Sequence, residues 1–193
     1  MQHLEIEFKN LLTKAEYNHL LQHFNIQRDQ IIPQANHYFE TPEGHLKRAM
    51  SGLRIRQIGD YYECTLKEKS STNAHLETNV EITKEQAEEV LATGCFPFPE
   101  ISTRLKAINV PLDQLSLFGS LETDRVEFPF KEGLLVLDHS KYLQQEDYEV
   151  EYETSDEKLG AISFNQLLEA HKIPKRQTDK KIARFMNALK ENK

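Results

Sequence analysis

The sequence predicts an α+β fold, mainly antiparallel β, with helices packed outside the sheet. Three observations carry this reading. Apolar and charged residues alternate with period two in about eight short segments, the mark of strands. A few intervening stretches carry helix start signals or helical spacing. The charged positions of the strands are also grouped by sign. Many strands with few helices suggest a sandwich or a barrel.

The elements follow in chain order. Residues 4–9 alternate apolar and charged, a first strand. Thr13-Lys14-Ala15-Glu16 is a capping box and opens a helix through about residue 24. A short extended piece spans 37–41. Residues 53–56 and 61–69 alternate, and Gly59-Asp60 between them is a two-residue hairpin turn. Residues 77–82 alternate again, and Thr83-Lys84-Glu85-Gln86 opens a second helix through about residue 92. Phe96-Pro97-Phe98-Pro99 reads as a loop that plugs the core, and a third helix is expected over 100–108. Strands follow at 121–128, 134–138 and 148–153, with a turn at Lys131-Glu132-Gly133. A fourth helix covers 158–171, ended by Pro174. A fifth covers 178–191, with Ile182, Phe185, Met186 and Leu189 at helical spacing.

No linker or solenoid-length repeat divides the chain, so one domain over 1–193, with its core at 3–190, is expected. The 193 residues carry 24 Lys and Arg against 31 Asp and Glu, a net charge of −7. That balance argues against an extended nucleic-acid partner but not against a local basic pocket. The N-terminal segment lacks a basic n-region and an apolar h-region, and no run approaches about 18 apolar residues. A cytoplasmic protein with no membrane partner is expected. Cys64 and Cys95 form no metal spacing and read as reduced thiols. The eight His likewise show no ligand spacing and take surface or packing roles.

On a strand, residues i, i+2 and i+4 share a face. The first strand groups Glu5, Glu7 and Lys9; the last groups Glu149, Glu151 and Glu153. Arg54 and Arg56 share a face, as do Glu63, Thr65, Lys67 and Lys69. Glu77, Asn79 and Glu81 form another row, and Arg125 pairs with Glu127. Asp147 and Glu153 flank the last strand and read as solvated. A sheet with one wet face would also alternate in this way. Like charges at i and i+2, however, are unfavourable unless something neutralises them. The opposite apolar faces need cover, and the helices are available to supply it. Helices outside leave the charged faces inside, which for eight strands means a closed or nearly closed barrel. Clustered carboxylates with oxygen donors alone suit Mg²⁺ or Mn²⁺, and opposed Arg and Lys suit a polyphosphate.

These residues resemble the CYTH domain superfamily, the triphosphate tunnel metalloenzymes. Glu5-Ile6-Glu7-Phe8-Lys9 matches its ExExK signature, and Tyr38-Phe39-Glu40-Thr41 resembles its YFDT strand, with Glu40 in place of Asp. Leu53-Arg54-Ile55-Arg56 followed by Thr65-Leu66-Lys67 resembles its LRIR…TLK pair. Arg125, Asp138 and Glu149-Val150-Glu151 fit its later strands. Lys180-Lys181-Ile182-Ala183-Arg184 resembles its SKxxR segment, with Lys180 where Ser is common; a one-residue shift to Lys180 stays open. The likeness spans about residues 3–190 and is strongest to stand-alone triphosphatases of Firmicutes.

The resemblance implies an eight-stranded antiparallel tunnel that hydrolyses a triphosphate with Mg²⁺ or Mn²⁺. Glu5, Glu7, Glu149 and Glu151 would be catalytic metal ligands, with Asp138 a further acid of the metal site. Lys9, Arg54, Arg56, Lys67, Arg125, Lys181 and Arg184 would hold the phosphates. One ion would bridge phosphate oxygens while a second activates the attacking water. Two alternatives stand beside hydrolysis. Some family members cyclise ATP to cyclic AMP and pyrophosphate. A non-catalytic polyphosphate or nucleotide sensor would keep the bases, but it would not need all four acids that this chain retains.

Overall fold

The computed structural model describes residues 1–176 and 179–191. Its strands are β1 (Gln2–Leu12), β2 (Ile32–Glu40), β3 (Gly52–Ile58), β4 (Tyr61–Lys69), β5 (Ala74–Ile82), β6 (Ser116–Phe130), β7 (Gly133–Tyr142) and β8 (Gln145–Thr154). They close into an antiparallel barrel in the order β1-β5-β4-β3-β2-β6-β7-β8. The helices are α1 (Lys14–His23), α2 (His45–Arg48), α3 (Lys84–Thr93), α4 (Pro99–Ala107), α5 (Glu157–Ala170) and α6 (Lys181–Glu191). The expected start of the last helix at Thr178 lies outside the described residues. Contacts group the chain into two compact units, Met1–Leu4 with Gln34–Leu121 and Glu5–Pro33 with Glu122–Lys193.

In the first unit, β3 and β4 form the expected hairpin, with Ile58 opposite Tyr61 across Gly59-Asp60. Gly59 takes φ +56°, a left-handed value that glycine adopts at no steric cost. The apolar face of β3 and β4 (Leu53, Ile55, Cys64, Leu66) packs under Ala87 and Val90 of α3 and Ile101 and Leu105 of α4. The Thr83 capping box that starts α3 is formed, with Gln86 as its return partner. Phe96 and Phe98 plug this core as expected, Phe96 edge-on to Phe39 at 4.8 Å. One charge breaks the apolar face. Glu68 is buried there and accepts two 2.9 Å hydrogen bonds from Arg104, a bidentate clamp between β4 and α4.

The one-turn helix α2 escapes the sequence pattern because four residues carry no periodicity. Glu40 explains it. Its carboxylate accepts from the backbone amides of Thr41 at 2.8 Å, Leu46 at 3.0 Å and Lys47 at 2.9 Å. The acid that departs from YFDT therefore satisfies amide groups at the start of a helix, which the longer Glu side chain can still reach.

In the second unit, Tyr148, Val150 and Tyr152 of β8 pack under Tyr17 and Leu20 of α1 and Phe164, Leu167 and Leu168 of α5. The Thr13–Glu16 capping box starts α1 as the sequence predicts. The β6–β7 turn falls at Lys131-Glu132, with Phe130 opposite Gly133. A second tight turn, Leu143-Gln144, joins β7 to β8, with Tyr142 opposite Gln145. Leu143 adopts φ +53° there, without the Gly or Asn that would mark such a turn in the sequence. The segment leading to α6 is pinned to β1: Arg176 donates from its backbone to Asn10 at 2.6 Å and grips both carboxylate oxygens of Glu16 at 2.8 and 2.9 Å. Phe185 of α6 is buried and meets Tyr142 edge-on at 5.8 Å. Among the described residues, no helix is long and apolar enough to cross a membrane.

Candidate active site

Strand register assembles the acids and bases of the second unit. Arg125 on β6 lies opposite Asp138 on β7, which lies opposite Glu149 on β8. Lys9 on β1 lies opposite Glu151 on the other side of β8, and Glu7 opposite Glu153. Since α1 and α5 cover the apolar face of β8, Glu149 and Glu151 are left on the opposite face by the two-residue period.

Acids and bases are interleaved on this face. Arg125 grips Asp138 in a fork, Nε to Oδ1 at 2.8 Å and Nη2 to Oδ2 at 2.6 Å, and reaches Glu151 Oε2 at 2.9 Å. Lys181, carried in by α6, hydrogen-bonds Asp138 and lies 3.1 Å from Glu151 Oε1 and 3.5 Å from Glu149 Oε1. Arg184, nearly one turn further along α6, puts Nη1 2.6 Å from Glu149 Oε2 and holds Asp147 at 2.9 and 3.1 Å. Lys9 pairs with Glu7 and stands 3.7 Å from Glu151 and 3.9 Å from Glu149. Glu5 and Glu7 present carboxylate oxygens within 4.8 Å of one another.

These contacts set the protonation states. Burial pushes Glu149 up to about 7; its hydrogen bond with Glu151 and the charge there add to this, against the pull of Lys181 and Lys9. Burial acts on Glu151 in the same direction, but Lys181, Lys9 and Arg125 outweigh it and hold this carboxyl below its usual range. Of the two glutamates, Glu151 is the one held ionised. Asp138 is also depressed: its burial is overcome by Arg125 and Lys181. Lys181 rises above its ordinary value, since Asp138, Glu149 and Glu151 outweigh its desolvation.

The first unit carries a more basic face. Arg54 and Arg56 are half-buried on β3, and Arg56 Nε donates to Asn36 Oδ1 at 3.2 Å. Lys67 on β4 lies opposite Glu77 on β5, with Nζ 3.4 Å from Oε1. Burial would raise the Glu77 carboxyl, but the charges of Lys67, Arg54 and His3 hold it below its usual value.

Two sequence expectations change. Asp147 and Glu153 are not solvated flanks of β8; both are half-buried. Asp147 is the second carboxylate of Arg184 and accepts from the Tyr142 hydroxyl at 2.7 Å. Glu153 is pushed up to about 7 by burial and by the charges of Glu5, Glu151 and Glu7. Their shared parity with Glu149 is the signal in the sequence that points to this. The open alignment between Lys180 and Lys181 is also narrowed: Lys181 is the lysine held against Asp138, Glu149 and Glu151. Lys69, Glu81 and Glu127 share the charged parity of their strands but are exposed.

Comparison with known proteins bears on the family and the fold. A family model for the CYTH domain matches residues 3–186. The Bacillus subtilis (strain 168) protein named "Putative triphosphatase YjbK" is 40% identical over 186 residues, covering 95% of each chain. A Bacillus halodurans crystal structure described as a "putative adenylate cyclase" is 36% identical with a TM-score of 0.92, covering 95% of this chain and 98% of its own. A Hippeastrum structure, described as a "putative adenylyl cyclase" with dominant triphosphatase activity, has a TM-score of 0.80, 23% identity and coverage of 97% and 96%. At that identity the last likeness speaks for the fold alone.

Proposed function

We propose that this chain, which belongs to the CYTH domain family, hydrolyses a small triphosphate with the help of a divalent cation and releases orthophosphate. In this proposal residues 1–193 work as one domain, in the cytoplasm. One observation carries it: Lys9, Arg125, Lys181 and Arg184 converge on Asp138, Glu149 and Glu151, all on one charged face. A fold gains little stability from buried ion pairs that well-packed apolar residues could replace, so such density favours a ligand-binding role.

The proposed metal ligands are Glu5, Glu7, Glu149 and Glu151, with Asp138 as a further acid. The donor set fits: it consists of carboxylate oxygens, and Glu5 and Glu7 offer two of them within 4.8 Å. Such a set suits a hard ion, Mg²⁺ or Mn²⁺. When bound, the ion supplies Lewis acidity at the phosphoryl oxygens and makes the attacking water more acidic.

The chain's own residues do the rest. Lys9, Arg54, Arg56, Lys67, Arg125, Lys181 and Arg184 are the proposed phosphate-holding cations. Arg125 already presents its guanidinium fork to a carboxylate, and the same fork matches two phosphate oxygens. Lys181 is kept fully protonated by its three carboxylate neighbours and offers fixed positive charge where negative charge builds on the transferred group. Burial raises the Glu149 carboxyl to about 7 while no cation is bound, so a cation taken up there would be held by the deprotonated carboxylate, with release of its proton. The support from relatives is the triphosphatase name borne by the Bacillus subtilis protein.

The test uses purified, folded protein with tripolyphosphate, nucleoside triphosphates and thiamine triphosphate, each with Mg²⁺, Mn²⁺ or a chelator. Metal-dependent orthophosphate release is expected from at least one. Absence of release from all of them would refute the reading. The cyclase name of the Bacillus halodurans relative keeps a second product set in view. Chromatography of the ATP reaction separates ADP and orthophosphate, expected here, from cyclic AMP and pyrophosphate.

A further inference from the structure

We propose that His19, His23 and His171 form a surface site for a divalent transition ion of the zinc class. His19 and His23 stand four residues apart on α1 and therefore share one face of the helix. His171 is the C-cap of α5 and is brought beside them by the fold. His19 Nε2 and His171 Nδ1 are 3.1 Å apart. Two nitrogens on one tetrahedral ion, with bonds of about 2.0–2.1 Å, would lie about 3.3 Å apart, so this pair needs only a slight opening. The ring centroids are separated by 4.4 Å for His23 and His171, 5.2 Å for His19 and His171, and 6.4 Å for His19 and His23. Three imidazoles on one ion would place their centroids about 5 Å apart, within this range.

His23 now meets His171 edge-on. A rotation of its exposed side chain supplies the third nitrogen, and water completes the coordination. In the present pair one ring donates its N–H and the other accepts. Both nitrogens become ligands when the donor moves its proton to its other ring nitrogen, so two neutral imidazoles suffice. Two features favour a cation here. Burial and the neighbouring His23 and His19 disfavour protonation of His171, which leaves it a free base. The C-terminal ends of α1 and α5 also meet at this point, and both present partial negative charge. Neutral imidazole donors prefer zinc-class ions to Mg²⁺, so the site differs in chemistry from the carboxylates of β1 and β8.

The experiment is a calorimetric Zn²⁺ titration of the full chain in excess Mg²⁺. One Zn²⁺ equivalent is expected. His19→Ala or His171→Ala should weaken it by on the order of 10–100-fold or more, the loss usual for even an outer-shell partner. The triple His→Ala variant should remove it. Substoichiometric Cu²⁺ should broaden the NMR signals of these three rings before those of the other histidines. Orthophosphate release from tripolyphosphate should be unchanged in His171→Ala, so this site and the proposed hydrolysis succeed or fail separately. A Zn²⁺ isotherm unchanged in the triple variant, or no Zn²⁺ binding to the unmodified chain, overturns the proposal.

Discussion

Arg184 of α6 sets a guanidinium nitrogen 2.6 Å from Oε2 of Glu149 on β8, a carboxylate that is itself fully buried. Together with Lys181 on Asp138 and Glu151, this contact ties the last helix to the acids of the barrel. The helix thus delivers two cations to a face whose own strands are rich in acid. The same contacts serve stability and the proposed chemistry, so variants must be read for both.

Glu7→Gln and Glu149→Gln keep the side-chain shape and remove the charge. Both should abolish metal-dependent phosphate release while sparing much of the tripolyphosphate binding, because the cations remain. Turnover assays and calorimetric binding on the same preparations check this. Unchanged turnover in both variants would show that the metal ligands are misassigned.

Lys181→Met removes an ammonium that touches Asp138, Glu149 and Glu151 together. Breaking a buried ion pair from one side leaves uncompensated charge, at a cost of about 3–5 kcal/mol. The variant should unfold at clearly lower urea concentration. A midpoint equal to that of the unmodified chain would mean that α6 docks through Phe185 and its apolar neighbours alone.

Glu77 has a folded pKa below its unfolded value of 4.5, because Lys67 and Arg54 overcome its burial. Its ionised form therefore contributes stability above pH 4.5, and that contribution is lost as pH falls through the depressed folded value. Glu77→Gln should cost about 1–3 kcal/mol at pH 7. The gap between variant and unmodified chain should narrow steadily below pH 4.5. Urea unfolding at a series of pH values measures it, and a gap independent of pH would contradict the assignment.

Gly94 ends α3 with φ +71°, and a Cβ there would stand 2.0 Å from the carbonyl oxygen of Leu115. Gly94→Ala combines left-handed strain with a backbone clash and should destabilise by more than the roughly 1 kcal/mol of a Gly-to-Ala change at a strained φ alone. Thermal unfolding tests this, since a clash with backbone cannot be relieved by turning a side chain.

The strand parities, the two capping boxes, the hairpin at Gly59-Asp60 and the family are legible in the sequence. All but the family, which rests on the order of short motifs along the chain, depend on residues a few positions apart, where backbone geometry sets which side chains share a face. That local logic is enough to place Glu5, Glu7, Arg54, Arg56, Lys67, Arg125, Glu149 and Glu151 on charged rows, whereas Asp138, with Leu134 and Val136 at its parity, comes only from the family resemblance. Partner choice is not legible in the same way. Lys181 meets Asp138 across 43 residues, and Arg184 meets Asp147 across 37. Such pairings depend on strand register and on how α6 is pinned by Arg176, Phe185 and Tyr142. Glu40 becomes a cap for α2, Asp147 a partner of Arg184, and His171 a neighbour of His19 only through the fold. The reason is physical: side-chain period is a property of a few bonds, whereas the distance between two charges is set by every element packed between them.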